Sequence, residues 1–242
     1  MKISLNNLSF SYQNSIGISR SVINGVTQNF EWESGKQIAG LLLPFGGGKS
    51  SLLRIAAGLI SPDSGSCVIT GDGEKTAKAV YIPPQPCSAG WLSFEDQVKL
   101  MLPSMKNQTS VKETAELCGI DGYENHIPAE QSGAFRLRVQ LALAIMSGAE
   151  VILIDDPFTA LMPQIKDHLF GDLREIIAKS KTALFFATSG LGDAAQLTDK
   201  LYIFNRLDGS LPEVLDTSSW TRLTMRAEQN ALLNSLPSNI RY

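Results

Sequence analysis

Residues 38–57 constrain this chain more than any other stretch. An apolar run, Ile38-Ala39-Gly40-Leu41-Leu42, leads into Leu43-Pro44-Phe45-Gly46-Gly47-Gly48-Lys49-Ser50 and then into Ser51-Leu52-Leu53-Arg54-Ile55-Ala56-Ala57. The first run suits a buried strand and the last a helix, so the glycines fall at a strand-to-helix turn. Consecutive glycines let the backbone fold tightly and aim several N–H groups at an anion. A helix N-terminus beneath the same point adds its partial positive charge. Lys49 supplies a full charge for the outer phosphates, and Ser50 a hydroxyl placed to ligate Mg²⁺. The segment reads as a phosphate-binding loop, G-x-x-x-x-G-K-[ST], with Leu43 where the first glycine belongs. If the backbone at Leu43 has positive φ, leucine costs on the order of 1 to 2 kcal/mol relative to glycine. Taken alone, the segment is also compatible with a glycine-rich turn that binds nothing.

The rest of the chain provides a setting for such a loop. Its 242 residues, 43% hydrophobic and 19% charged, suffice for one large α/β domain or a domain with a subdomain. Alternation at Ile3, Leu5, Leu8 and Phe10, then at Val26, Phe30 and Trp32, predicts antiparallel strands before the loop. The continuous runs 79–82, 151–154 and 183–187 suit strands buried on both faces of a parallel sheet. Between Trp91 and Gln131 the pattern turns helical, as in an inserted helical subdomain. Leu201 to Phe204 and the turn Asp208-Gly209 predict a closing strand pair, followed by a short helical tail. The longest apolar run, Leu141 to Met146, is far short of a membrane span, and no apolar signal core follows Lys2. A cytoplasmic location is expected. Cys67, Cys87 and Cys118 lack metal-ligand spacing and read as reduced, incidental thiols. A net charge of −3 argues against nucleic acid as a partner.

Later segments set beside the loop extend the pattern. Ile60-Ser61-Pro62-Asp63-Ser64-Gly65-Ser66 follows the first helix, and Gln85 lies in Tyr81-Ile82-Pro83-Pro84-Gln85-Pro86. Pro128-Ala129-Glu130-Gln131-Ser132-Gly133-Ala134-Phe135-Arg136-Leu137-Arg138-Val139 precedes Val151-Ile152-Leu153-Ile154-Asp155-Asp156-Pro157. In order and spacing these resemble the ATP-binding subunits of ABC transporters over nearly the whole chain. Trp91-Leu92-Ser93-Phe94-Glu95-Asp96-Gln97-Val98 is similar to importers of the nitrate, sulfonate and taurine type, where this surface receives a coupling helix from the membrane subunit. The same residues also read as a helix start with Ser93 as N-cap and Asp96 at its third position.

The resemblance implies an α/β P-loop NTPase fold of ABC type, with a mixed or parallel sheet core, N-terminal antiparallel strands and a helical subdomain. Residues 1–84 and 151–242 would form a RecA-like core and about 85–150 the helical subdomain, in a single domain spanning 1–242. It implies ATP and Mg²⁺ as ligands. ATP binding would fall to Phe45, Gly46, Gly47, Gly48, Lys49, Ser50 and Ser51, with Tyr12 at the position that stacks on adenine. Tyr12 is equally a strand residue that could pack on the sheet, and the stretch Gln13 to Ser21 lengthens its distance from the loop. Ser50, Gln85 and Asp155 would serve the metal, and Gln85, Asp156 and Ser189 occupy the catalytic positions. Ser132 and Gly133, in the signature segment, would touch ATP held by a second subunit.

Departures from the family pattern cluster on hydrolysis and dimer coupling. Asp155 matches the Walker B carboxylate, but the following glutamate is Asp156, one methylene shorter, and a small misplacement of the lytic water costs about 10²-fold in rate. Asp156 could instead simply cap nearby N–H groups. Ser189 stands where the switch histidine belongs and cannot span to a γ-phosphate as imidazole does. His126 and His168 lie elsewhere in the sequence and do not replace it. Met162 replaces an aspartate that links the two sites, and Gln131, Ala134 and Phe135 alter the signature. The expectation is an ATP-binding subunit with weak or no hydrolysis at its own site. It would pair with a second ABC subunit, a heterodimer being favoured over a homodimer, and dock on transmembrane permease subunits at the inner face of the cell membrane. The alternative is a nucleotide-sensing or scaffolding pseudo-ATPase without a transport step.

Overall fold

The computed structural model describes residues 1–13, 15–32, 37–85, 89–101, 108–158 and 161–218. Cys87, Pro103 and the expected helical tail lie outside them. In chain order the elements are β1 (Lys2–Gln13), β2 (Ser19–Glu31), β3 (Ile38–Leu42), α1 (Lys49–Ala56), β4 (Ser64–Thr70), β5 (Ala79–Ile82), α2 (Phe94–Met101) and α3 (Gln108–Leu117). There follow α4 (Gly133–Met146), β6 (Val151–Asp155), α5 (Pro163–Ser180), β7 (Ala183–Thr188), α6 (Leu191–Leu197), β8 (Lys200–Ile203) and β9 (Glu213–Asp216).

The strands form two sheets. The alternating N-terminal segments pair antiparallel in the order β2-β1-β4, and the apolar runs build a six-stranded sheet ordered β5-β6-β7-β3-β8-β9. All its neighbours are parallel except β9, which returns antiparallel along β8. The pair β8–β9 is the closing strand pair that the sequence predicts.

Strand alternation splits the core in two. Val151, Leu153, Phe185, Ala39 and Leu41 face the antiparallel sheet and α1. Ile152, Ile154, Leu184 and Phe186 face the opposite way, into a cluster with Phe94, Leu137, Leu141, Leu169 and Leu173 of the helices. Each fully buried Leu, Ile or Phe contributes about 1.5 to 3 kcal/mol, so both faces of the central strands are needed to hold them. The Phe30 ring centre lies 4.9 Å from those of Phe185 and Tyr202, seating the antiparallel sheet on the larger one. Polar contacts fix that seat: the Glu31 N–H donates to the Tyr202 hydroxyl at 3.0 Å, and Trp32 Nε1 donates to the Leu184 carbonyl at 3.1 Å.

The helical reading around residue 94 holds in detail. Ser93 Oγ accepts from the Asp96 N–H at 3.2 Å and donates to the Asp96 carboxylate at 2.9 Å, a reciprocal cap at the start of α2. Among the described residues no helix is long and apolar enough to cross a membrane. The parallel order brings the C-terminal ends of β3, β6 and β7 side by side, and there the residues of interest collect.

Candidate functional site

Residues following β3 make the floor of the site. The chain turns at 43–48 and enters α1, whose N-cap is Gly48 at φ 101°. A Cβ on Gly48 would come within 2.8 Å of Val22 Cγ1, so positive φ and close packing both require glycine there. Gly46 is also left-handed, at φ 72°. A Cβ on Gly47 would sit 2.7 Å from Leu43 Cγ. Leu43 is itself fully buried and is absent from the four non-glycine residues with positive φ among those described. The strain expected for leucine at the motif's first position therefore does not arise. Its side chain joins the core beneath the loop, and Gly47 leaves it room.

Lys49, Ser50 and Ser51 form the first turn of α1, whose N–H groups have no intrahelical acceptor. Lys49 folds back over the loop, Nζ donating to the carbonyls of Leu43 at 2.9 Å and Pro44 at 3.1 Å, with the Phe45 ring centre 5.2 Å away. Burial lowers the pKa of this ammonium from its ordinary value, and the negative charges of Asp156 and Asp155 act against that shift.

Above the floor lies a cleft of about 580 Å³. It is lined by Tyr12, Phe45, Gly46, Gly48, Lys49, Ser50, Ser51, Asp155 and Asp156, so most of the expected nucleotide and metal residues come together. Tyr12 is 45% exposed, its hydroxyl shares a hydrogen bond with Ser51 Oγ at 3.1 Å, and its ring stands edge-on to Phe10. One face of the site is thus an aromatic ring anchored to α1. Arg20, Val22, Pro84 and Pro157 also line the cleft and were missed by sequence reasoning. Arg20 pairs across the β1–β2 ladder with Tyr12. That register depends on the hairpin's loop, which residue pattern alone did not fix.

Asp155 ends β6, 1% exposed, and accepts a hydrogen bond from the Tyr81 hydroxyl at 2.8 Å. The Tyr81 pKa is pushed up to about 12, chiefly by burial, with Arg54 acting in the opposite sense. Asp156 holds a left-handed backbone, φ 39°, uncommon for a residue other than glycine. Its Oδ2 accepts from Thr188 Oγ1 at 3.0 Å and from the Ser189 N–H at 3.3 Å. Ser189, buried, therefore meets the site through its backbone, behind Asp156. Thr188 was not singled out in the sequence, and its position as the last residue of β7 was the available signal.

Other expected residues stand apart. Gln85 is exposed and follows Pro84 at the rim without lining the cleft. Ser132 is the N-cap of the 14-residue α4, accepting from the Phe135 N–H at 3.2 Å, and Gly133 opens that helix. Neither lines the cleft. His168 is exposed with Nδ1 2.9 Å from the Gln164 carbonyl, and the His126 ring lies tilted against Tyr123, centres 4.9 Å apart. Cys67 and Cys118 are free thiols whose pKa values burial pushes up to about 12, which suppresses the reactive thiolate.

Hydroxyl and buried carboxylate oxygens at Ser50 and Asp155 are hard donors of the kind Mg²⁺ takes alongside phosphates. Glycine loop, helix start, buried ammonium and carboxylate pair supply the donors and charges that a polyphosphate and its cation would need. Comparison with known proteins agrees. Residues 27–159 match the family model described as ABC transporter. The chain is 30% identical over 222 residues to the aliphatic sulfonates import ATP-binding protein SsuB of Bacillus thuringiensis subsp. konkukian (strain 97-27), covering 90% of this chain and 87% of the relative. SsuB of Bacillus subtilis (strain 168) is 33% identical over 180 residues, covering 72% and 70%. In fold, the chain is similar to a dimeric ATP-binding cassette in a post-hydrolysis state bound to ADP and Pi. That match has a TM-score of 0.70 at 18% identity, over 90% of this chain and 100% of the other.

Proposed function

The chain belongs to the ABC transporter family of ATP-binding domains, and from that premise we propose that it is the ATP-binding subunit of an importer for a small solute of the sulfonate type. It binds ATP·Mg²⁺ in the cleft at a dimer interface and depends on a partner ATPase for efficient turnover. The observation that carries this reading is the convergence of Lys49, Ser50 and Asp155 on one cleft at the start of α1.

The residues divide the work. Lys49 exchanges its two carbonyl partners for phosphate oxygens, and the loop glycines bring backbone N–H groups against the same anion. Tyr12 offers its ring to the base. Ser50 and Asp155 would hold Mg²⁺, which would supply neutralisation of charge on the outer phosphates. Gln85, next to Pro84 at the rim, would serve the metal and the attacking water. Asp156 is the weak member: its carboxylate is short and its Oδ2 is tied to Thr188 and Ser189, which leaves the lytic water poorly held. Ser189 places no side chain able to take the role of imidazole.

Ser132 and Gly133, at the N-terminus of α4, would serve ATP bound by the second subunit. A conventional partner would then hydrolyse at one interface site while this chain's own loop holds ATP as a clamp, which favours a heterodimer. Residues 1–84 and 151–242 act as the nucleotide-holding core, and about 85–150 as the helical part that meets the permease. Docking there places the chain peripherally on the inner face of the cell membrane.

The direct test is ATP binding by the purified chain with Mg²⁺, where Lys49→Ala should weaken affinity by about tenfold or more, since a charge-assisted contact to phosphate is lost. Equal affinity for both chains would overturn the assignment of the loop. Copurification with polytopic membrane proteins separates a transporter subunit from a sensing or scaffolding pseudo-ATPase.

A further inference from the structure

Parallel pairing of β5 with β6 sets Tyr81 opposite Leu153 and Ile82 opposite Ile154. Asp155 lies two residues beyond Leu153, so Tyr81, Leu153 and Asp155 share one face of the sheet, the face covered by α1. From that helix Arg54 reaches over the Tyr81 ring, 5.9 Å from its centre. The Tyr81 hydroxyl donates to Asp155 Oδ2 at 2.8 Å. Packing alone would be met by phenylalanine at this half-buried position. The hydroxyl instead engages a carboxylate that is 1% exposed and borders the cleft.

We propose that Tyr81 is a positioning residue for Mg²⁺: its hydrogen bond fixes the Asp155 carboxylate so that the other oxygen, Oδ1, is presented to the hydrated ion beside Ser50. The inference rests on the reading of the cleft as an ATP·Mg²⁺ site. An ionised carboxylate has about four lone-pair sites. Tyr81 takes one on Oδ2 and removes the rotation that would otherwise let the group turn toward Lys49. Arg54, lying over the ring, holds the tyrosine in turn. Partners of this kind, one step removed from a metal, typically set affinity by about 10- to 100-fold.

The test uses the full chain and ATP, titrated with Mg²⁺ and separately in its absence. In Tyr81→Phe the factor by which Mg²⁺ tightens ATP should fall by about tenfold, while Mg²⁺-free affinity stays at the parent value. Asp155→Asn should lose that factor, and adding Tyr81→Phe to it should change nothing further, because the hydroxyl acts only through the carboxylate. Mn²⁺ in place of Mg²⁺, followed by electron paramagnetic resonance, reads the ion directly and should show the same loss. A merely structural role would lower both affinities together or only the melting temperature. An unchanged or larger Mg²⁺ factor in Tyr81→Phe, or additive effects in the double variant, overturns the inference and leaves the site assignment standing. Failure of the unaltered chain to bind ATP at all overturns both.

Discussion

Leu43 occupies the volume that a Cβ on residue 47 would enter, and this coupling decides what a return to the motif would do. Leu43→Gly restores the first motif glycine yet removes a fully buried side chain, and large-to-small core changes of this size cost about 2 to 5 kcal/mol. Denaturant unfolding should show that loss. A stability equal to or above the parent would mean the leucine is strained after all. The sequence exposed the departure but not its sign, because the backbone angle at residue 43 depends on how the loop sits on the core. Lys49, Ser50 and Asp155 were legible since each follows from its place relative to a strand end or helix start. Arg20 and Tyr81 were not, because their partners are set by strand register across 8 and 74 positions of the chain.

At the scale of elements, α4 begins with an ordinary helix cap in the segment proposed to meet a second subunit's ATP. Ser132 caps it, so Ser132→Ala should cost about 1 kcal/mol of stability whatever its role toward nucleotide. Ser132→Asp separates the two roles. Aspartate caps as well as serine and suits the positive end of the helix, so the melting temperature should hold. Its charge would oppose a phosphate approaching from a second subunit, and ATPase of the assembled complex should drop. Full complex activity with Ser132→Asp would remove the signature segment from the shared site. Strands 151–155 and 183–188 were readable as buried runs because apolar residues on both faces admit few other placements. The antiparallel pairing of β1 with β2 and β4 was readable as alternation, but its irregular register near Leu5 and Leu8 was not.

For the whole molecule, two sheets sandwich α1 and bring the ends of β3, β6 and β7 together beside one cleft. On the proposed reading Lys49, Ser50 and Asp155 supply the groups for phosphate and cation there, whereas Asp156 is bound to the end of β7 and no imidazole follows that strand. The proposed reading is binding without efficient hydrolysis, so that turnover belongs to the assembly. The most direct measurement is steady-state ATP hydrolysis by the isolated chain beside its ATP affinity, both repeated for Lys49→Ala. ATP binding should depend on Mg²⁺ and fall in Lys49→Ala, with little hydrolysis by the chain alone. Strong ATP turnover by the isolated chain, abolished by Lys49→Ala, would contradict it.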